Sequence, residues 1–383
     1  MYRYYEKIDK SIYSSVVTQS LKEIDCIVYT KDFFTFKKHL QKNNKDFVEF
    51  PFISAFCIGL KSNDIVNVAK NKVVVYITKN AKVSALCNVG KKVLNIDSFY
   101  KNNFDGEGST VAVIDTGIYP HLDFVMPKNR IVKFVDFIND KTLPYDDNGH
   151  GTMVSSIICG NGLVHNKKYT GVSYRSNIIA LKAIESSGET ATVKILQAMQ
   201  WVYDNRRKYN ISVVCMSFGS EPNNGYDPLV VGAESLWNAG ICVVAAAGNS
   251  GPHNNTIKSP GSSKRILTVG GLDDKRIGES VITSEFEIAD FSSRGPVENF
   301  YKPDLVAPAV GIVGASNNGG YTTMSGTSVA TPFIAGIVAL LTAKYPKLTP
   351  DQIKIRLVKS CNKMTKDQNA DGFGLLDCSR LFV

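Results

Sequence analysis

Four polar residues in this chain stand where an apolar run ends or a helical pattern begins: Asp115, His150, Asn249 and Ser328. A carboxylate, an imidazole and a hydroxyl are the parts of a nucleophilic relay. The carboxylate holds the ring in one tautomer, the ring takes the hydroxyl proton, and the oxygen attacks an electrophilic carbon. A side-chain amide beside them can donate to the oxyanion that forms. Each residue taken singly also has a plainer use. Asp115 in Asp115-Thr116-Gly117 fits a turn or helix cap, Asn249 a Gly-Asn turn, and Ser328 an ordinary helix N-cap.

The surroundings sharpen the chemical reading. Asp115 ends the apolar run TVAVID, and α/β sheets gather their sites at the carboxyl ends of parallel strands. His150 lies between Gly149 and Gly151, just before the apolar Met153, Val154, Ile157 and Ile158, which predict a helix. Ser328 follows the small-residue turn Ser325-Gly326-Thr327 and opens a long apolar helix. Free N–H groups and the helix dipole at such a start favour developing negative charge. Pro332 inside that helix is normally penalised, which points to a turn geometry fixed for another reason. Asn249 closes the buried run VVAAAG.

The elements that must position these groups follow from hydrophobic pattern. Buried strands are predicted at 110–115, 177–184, 211–218, 241–248 and 266–272, alternating with helices that include 191–208 and 227–240. Continuous β-branched runs of this kind imply a mostly parallel sheet covered on both faces, a three-layer α/β/α domain. Upstream, strand 25–31, helix 33–43, two strands flanking Pro51, helix 62–71 and strand 73–79 give the order β-α-β-β-α-β of a small ferredoxin-like α+β domain. The turn-rich NFDGEGST at 103–110 separates the two patterns. The division expected is an extension at 1–24, a small domain at 25–86 and a large domain at 87–383.

Composition narrows the class. Of 383 residues, 44% are apolar and 21% charged, which is globular rather than disordered. The net charge is +9, and residues 1–90 hold 14 Lys+Arg against 8 Asp+Glu, so most of the surplus lies there. No basic stripe interleaved with aromatics marks a nucleic-acid surface. The eight cysteines form no C-x-x-C pair and no Cys/His zinc spacing. Three of them, Cys159, Cys215 and Cys242, fall in apolar runs as small buried hydrophobes. With no signal-like h-region and no apolar run of about 18 residues, the expectation is a cytoplasmic protein without membrane or nucleic-acid partners.

The blocks VAVIDTGIYPH, DDNGHGTMVSSI, AAAGNSGP, FSSRGP, KPDLVAPA and SGTSVATP resemble the signature segments of subtilisin-like serine proteases, over roughly residues 88–383. YPHLD, YDDNGHGT and FSSRGP are most similar to the intracellular-type alkaline proteases of bacilli and clostridia, and residues 25–80 resemble the family's propeptide inhibitor domain. The order Asp…His…Ser is that of subtilisins. The resemblance implies an endopeptidase in which Asp115 orients His150, His150 is the base, Ser328 the nucleophile, and Asn249 with the Ser328 N–H the oxyanion donors. It also implies a substrate channel between Ser217-Phe218-Gly219 and an edge strand at Ser187-Gly188-Glu189, with Ala246, Ala247 and Gly248 walling the pocket for the residue before the cut. Small walls leave room there for a large apolar side chain. The small domain would act as an intramolecular inhibitor, cut within 79–90.

Two positions depart from the family. Met153 stands where a second histidine is usual. The loop CGNGLVHNKKYTGV carries lysines and no carboxylate where many secreted relatives bind calcium, so no cofactor is required and structural calcium is not indicated. A non-catalytic protein on the same fold is the competing reading, disfavoured because all four chemical positions are intact. An α/β hydrolase or dehydrogenase is set aside for want of G-x-S-x-G or G-x-G-x-x-G.

Overall fold

The protein is described here by a computed structural model covering residues 4–9, 12, 16, 23–43, 45–79, 87–222, 227–275 and 285–382. It forms two compact units, Met1–Val83 and Ser84–Val383. The expected cut at 79–90 falls largely on residues 80–86, outside the described residues.

In the first unit the chain runs β1 (Ile24–Thr30), α1 (Phe33–Lys42), β2 (Phe47–Phe50), β3 (Ala55–Leu60), α2 (Ser62–Lys70) and β4 (Val74–Lys79). The four strands pair antiparallel in the order β2-β3-β1-β4. Register places Cys26 opposite Ile58 and Val28 opposite both Phe56 and Ile77, so alternate residues build one apolar face. That face buries against Phe36 and Leu40 of α1 and Ile65 and Ala69 of α2. The segment ahead of β1 joins the same core through Ile8, Ile12 and Val16, and the Asp9 N–H donates to the Ile77 carbonyl at 2.9 Å.

The second unit begins with short helices α3 (Cys87–Val93) and α4 (Asp97–Lys101). Its sheet is built on β5 (Thr110–Asp115), β6 (Ile131–Asp136), β7 (Asn177–Lys182), β8 (Ile211–Met216), β9 (Cys242–Ala246), β10 (Leu267–Asp273) and β12 (Leu305–Pro308). These seven strands run parallel in the order β12-β10-β9-β8-β5-β7-β6. Among the described residues, short antiparallel strands join this sheet at β11 (Glu287–Ile288) and at β15 (Cys361–Asn362), the latter against β16 (Leu375–Leu376). A separate hairpin joins β13 (Ile312–Ala315) to β14 (Tyr321–Met324). This is the mostly parallel, helix-flanked three-layer architecture expected from the pattern.

Helices α5 (Leu122–Val125), α6 (His150–Cys159), α7 (Thr192–Asn205), α8 (Pro228–Asn238) and α9 (Thr327–Lys344) complete the part of the unit that carries the site. α6 packs on α9, and α7 on α8. Every residue of β5 is buried, as is nearly all of α9. Each large aliphatic side chain so covered contributes roughly 1.5–3 kcal/mol. α9 is the one helix among the described residues long and apolar enough to cross a membrane, with a mean hydropathy of 1.5 over 18 residues. It lies inside the protein, with 78% of that span buried. The seven cysteines whose side chains are described are all unpaired. Burial pushes the thiols of Cys215 and Cys242 up to about 12, which leaves them inert as small core residues.

Two lysines replace apolar packing at the β10–β12 end. Lys302 is fully buried, and its ammonium donates to the Ile266 carbonyl (3.1 Å), Thr268 Oγ1 (2.9 Å) and Asp304 Oδ2 (2.6 Å). Burial pushes it down to about 8 against the pull of Asp304. Lys354, in α10 (Pro350–Lys359), meets the carbonyls of Lys264, Arg265 and Ile266 at 3.1, 3.1 and 2.9 Å and Asp304 Oδ1 at 2.9 Å. Four oxygens thus face an ammonium with three donors. Lys302 still pairs with Asp304 when Lys354 is removed, and Lys354 keeps 17% side-chain exposure, so Lys354→Met should lower unfolding free energy by about 1–2 kcal/mol, the cost of leaving these acceptors without their donor. Urea denaturation followed by tryptophan fluorescence measures it, and a loss below about 0.5 kcal/mol would contradict this account.

Candidate active site

Asp115 is the last residue of β5, and its carboxylate is 1% exposed. Oδ1 accepts from the Thr116 N–H at 2.8 Å and meets His150 Nδ1 at 2.7 Å. Oδ2 is buried and has no hydrogen-bond partner. His150, the first residue of α6, keeps 23% exposure, so a sheltered carboxylate backs a ring that solvent and ligands can reach. Burial disfavours the charged imidazole. The Asp115 charge and hydrogen bond, with a further pull from Asp146, outweigh it and raise the ring's pKa above its ordinary 6.5.

The first turn of α6 has no intrahelical acceptors for its N–H groups. Side chains supply them. His150 N–H donates to Asn148 Oδ1 (3.2 Å), Gly151 N–H to Thr116 Oγ1 (2.9 Å) and Thr152 N–H to Asp146 Oδ2 (2.9 Å). Asp146 also accepts from Thr116 Oγ1, from the N–H groups of Asn148 and Gly149, and from Thr152 Oγ1. Thr116 therefore links the end of β5 to both the loop and the helix. Gly151 is required by proximity, because a Cβ there would lie 2.3 Å from the Gly117 carbonyl and 3.1 Å from Asp115 Cβ. Lys182, buried at the end of β7, donates to the Thr116 carbonyl and to Asp147, each at 2.7 Å, and so closes the loop from below.

Ser328 is the second residue of α9, and Gly326 precedes the helix at φ +150°. That backbone excludes a side chain, and the space is needed. A Cβ on Gly326 would stand 3.1 Å from Asn249 Nδ2 and 3.2 Å from Ser328 Oγ, so amide and hydroxyl face one point. Thr327 orients the amide. Its backbone N–H and its Oγ1 both donate to Asn249 Oδ1, at 2.9 and 3.0 Å. A backbone N–H can only donate, so the oxygen of Asn249 faces Thr327 and the NH₂ points away from it. The Gly248 N–H donates to Thr327 Oγ1 at 3.2 Å. Among the described residues no hydrogen bond joins His150 to Ser328.

The residues expected to line a channel fall in three places. Ser217, Phe218 and Gly219 follow the end of β8, outside the sheet. Ala246 ends β9, and Ala247 and Gly248 continue from it, buried. Ser187-Gly188-Glu189 is not an edge strand in this structure. It is a turn, closed by Glu185 N–H to the Glu189 carbonyl (3.0 Å) and Gly188 N–H to the Glu185 carbonyl (3.0 Å), with Gly188 at φ +86°. The left-handed glycine and these local bonds take the segment out of extended geometry. The room expected between small walls is also changed. The stem of Lys258 reaches Gly219 and Gly248 alike, at positions where Cβ atoms would stand 2.6 and 2.4 Å from it.

Sequence reasoning missed Asp146, Thr116, Thr327 and Lys258. The run Asp146-Asp147 ahead of His150 carried a signal, since an acidic residue near a helix start is a cap candidate. Nothing in the sequence separated the two aspartates or marked Lys258.

A parallel α/β sheet carrying an Asp–His pair at one strand end, and a serine with an oriented amide at a helix start, defines a serine hydrolase of subtilisin type. The model of peptidase S8, the subtilase family, matches residues 106–374, and the chain belongs to that family. It is 37% identical over 319 residues to serine protease AprX of Bacillus subtilis (strain 168), covering 77% of this chain and 71% of that protein. It is 30% identical to a thermostable alkaline protease of Halalkalibacterium halodurans, covering 82% and 78%. Among solved structures, a cold adapted subtilisin-like serine proteinase matches at TM-score 0.59 and 31% identity, over 72% of this chain and 90% of that one. Sphericase matches at 0.63 and 25%, over 77% and 99%. The protein is accordingly a serine-type peptidase acting on peptide or protein substrates.

Asp146→Ala would strand the donors that its carboxylate now satisfies, all in or beside the first turn of α6. A loss of about 3 kcal/mol in unfolding free energy is expected, with Asp146→Asn recovering part of it. Denaturant titration measures both. An unchanged midpoint in the alanine variant would show that Asp146 does not hold the loop.

Proposed function

We propose that this subtilase is an endopeptidase working through an acyl-enzyme, with Asp115, His150 and Ser328 as its triad. The observation that carries the reading is the 2.7 Å contact of a buried carboxylate with an accessible imidazole. In the acylation step Ser328 Oγ bonds to the scissile carbonyl carbon while its proton passes to His150 Nε2. Asn249 Nδ2 and the Ser328 N–H hold the oxyanion. His150 then returns the proton to the leaving amine as the C–N bond breaks. Water repeats the sequence on the ester and frees Ser328. The transfer needs ring and hydroxyl within about 2.6–3.2 Å in the substrate complex, a contact that free enzymes often leave loose. Seven unpaired thiols also support a reducing, cytoplasmic setting.

The same reading gives the β-α-β-β-α-β unit an inhibitory role, with the chain made as a precursor. Its last strand β4 ends at Lys79, so a cut within 79–90 would separate this unit from the rest of the chain. Intact mass of purified full-length chains tests this. Wild type should be shortened at 79–90 and Ser328→Ala should stay whole. Equal masses would remove self-processing from the account.

Catalysis has its own test. Ser328→Ala or His150→Ala should lower kcat by about 10⁴–10⁶ with the fold intact, and Ser328 should be labelled by a fluorophosphonate in the wild type. His150 must be neutral to take a proton, and Asp115 raises its pKa. Activity should therefore fall as pH drops through a value above 6.5, and Asp115→Asn should move that limb lower. Near-normal turnover in either alanine variant would refute the triad.

A further inference from the structure

The two walls of the channel are joined from behind by a short piece of chain. Lys258 N–H donates to the Ala247 carbonyl at 2.8 Å, and Ser259 and Ser220 exchange backbone bonds, each 2.9 Å. Lys258 therefore starts where the wall ending at Gly248 meets the wall containing Gly219. Its stem lies against both. A Cβ on Gly219 would stand 2.6 Å from Lys258 Cβ and 3.3 Å from Cγ, and one on Gly248 would stand 2.4 Å from Cγ and 3.2 Å from Cβ. The side chain is 17% exposed. Its ammonium pairs with Glu221, a carboxylate that is 83% exposed.

A substrate side chain entering between Gly219 and Gly248 meets this stem, which lies against both. A large aromatic group would have to displace it. A side chain with two or three methylenes and a terminal carboxylate instead packs along the stem and presents its charge to the ammonium. Glu221 competes from water, where an ion pair is worth little. A substrate carboxylate competes from a site that its own main chain partly closes to solvent, where a charge-assisted bond is stronger. We propose that Lys258 makes this enzyme select an acidic residue immediately before the scissile bond. The proposal rests on the endopeptidase reading, and on Gly219 and Gly248 flanking the pocket for that residue.

Peptides identical except for Glu, Gln or Phe before the cut test it, with kcat/KM measured on the wild-type chain, Lys258→Met and Glu221→Gln. Gln matches Glu in shape and lacks only the charge. The wild type should favour Glu over Gln by about tenfold or more, a ratio in the range that a single well-placed polar contact gives. Lys258→Met should bring that ratio close to one, and Glu221→Gln should raise it by freeing the ammonium. The ratio is internal to each enzyme, so a partly impaired variant still reports it, and fluorophosphonate labelling of Ser328 shows that each variant is folded. The proposal is overturned if Phe or Gln is cut at least as well as Glu, or if Lys258→Met leaves the Glu-to-Gln ratio unchanged. An enzyme that is neither labelled nor active on any peptide would instead sink the endopeptidase reading, and this proposal with it.

Discussion

The carboxylate of Asp146 is the point on which the candidate site depends. It gathers the hydroxyl of Thr116, the N–H groups of Asn148, Gly149 and Thr152, and the hydroxyl of Thr152. Those donors belong to Thr116 just past β5, to the loop that leads into α6 and to the first turn of α6. One buried negative charge therefore sets the distance between Asp115 and His150. It also sits at the positive end of α6, where a carboxylate is favoured. Asn317 ties this point to the turn between β13 and β14 by donating to the Asp146 carbonyl at 2.9 Å.

The serine side of the site uses another device. Thr327 spends its hydroxyl and its backbone N–H on the oxygen of Asn249, which leaves the NH₂ as the free end of that amide. Gly326 leaves open the space that the amide and the Ser328 hydroxyl share. The two halves meet because α6 and α9 pack together. Gly336 faces Val172 and the seam with α6, where a Cβ would stand 2.6 Å from the Val172 side chain and 3.3 Å from the Ile158 carbonyl. Long apolar helices give the position, and short polar contacts at their starts give the orientation.

Three lysines among the described residues, two of them buried, serve carbonyls near strand ends. Lys182 serves the Thr116 and Ile184 carbonyls, and Lys302 and Lys354 serve those around Ile266. Each is paired with a carboxylate, Asp147 for the first and Asp304 for the others, which offsets part of the desolvation cost. Lys258 differs in pairing with an exposed carboxylate while its stem lies against Gly219 and Gly248.

Hydrophobic period alone made the strands 110–115 and 211–216, the helix at 192–205 and the whole β-α-β-β-α-β order legible, because burial on two faces or one imposes a pattern that sequence carries directly. Strand ends were read two residues too long at Phe218 and Gly248. There the chain stays apolar or small after it leaves the sheet, so composition does not mark the exit. Asp115, His150, Asn249 and Ser328 were legible as chemistry because each terminates or opens such a run. Their orientation was not. Which of Asp146 and Asp147 holds the loop, which way the Asn249 amide faces, and that 187–189 closes as a turn are decided by groups distant in sequence or by backbone geometry. Lys258 shows the limit most clearly. A lysine in a loop reads as surface, and only the approach of Gly219 and Gly248, 39 residues before it and 10 before it, turns its stem inward.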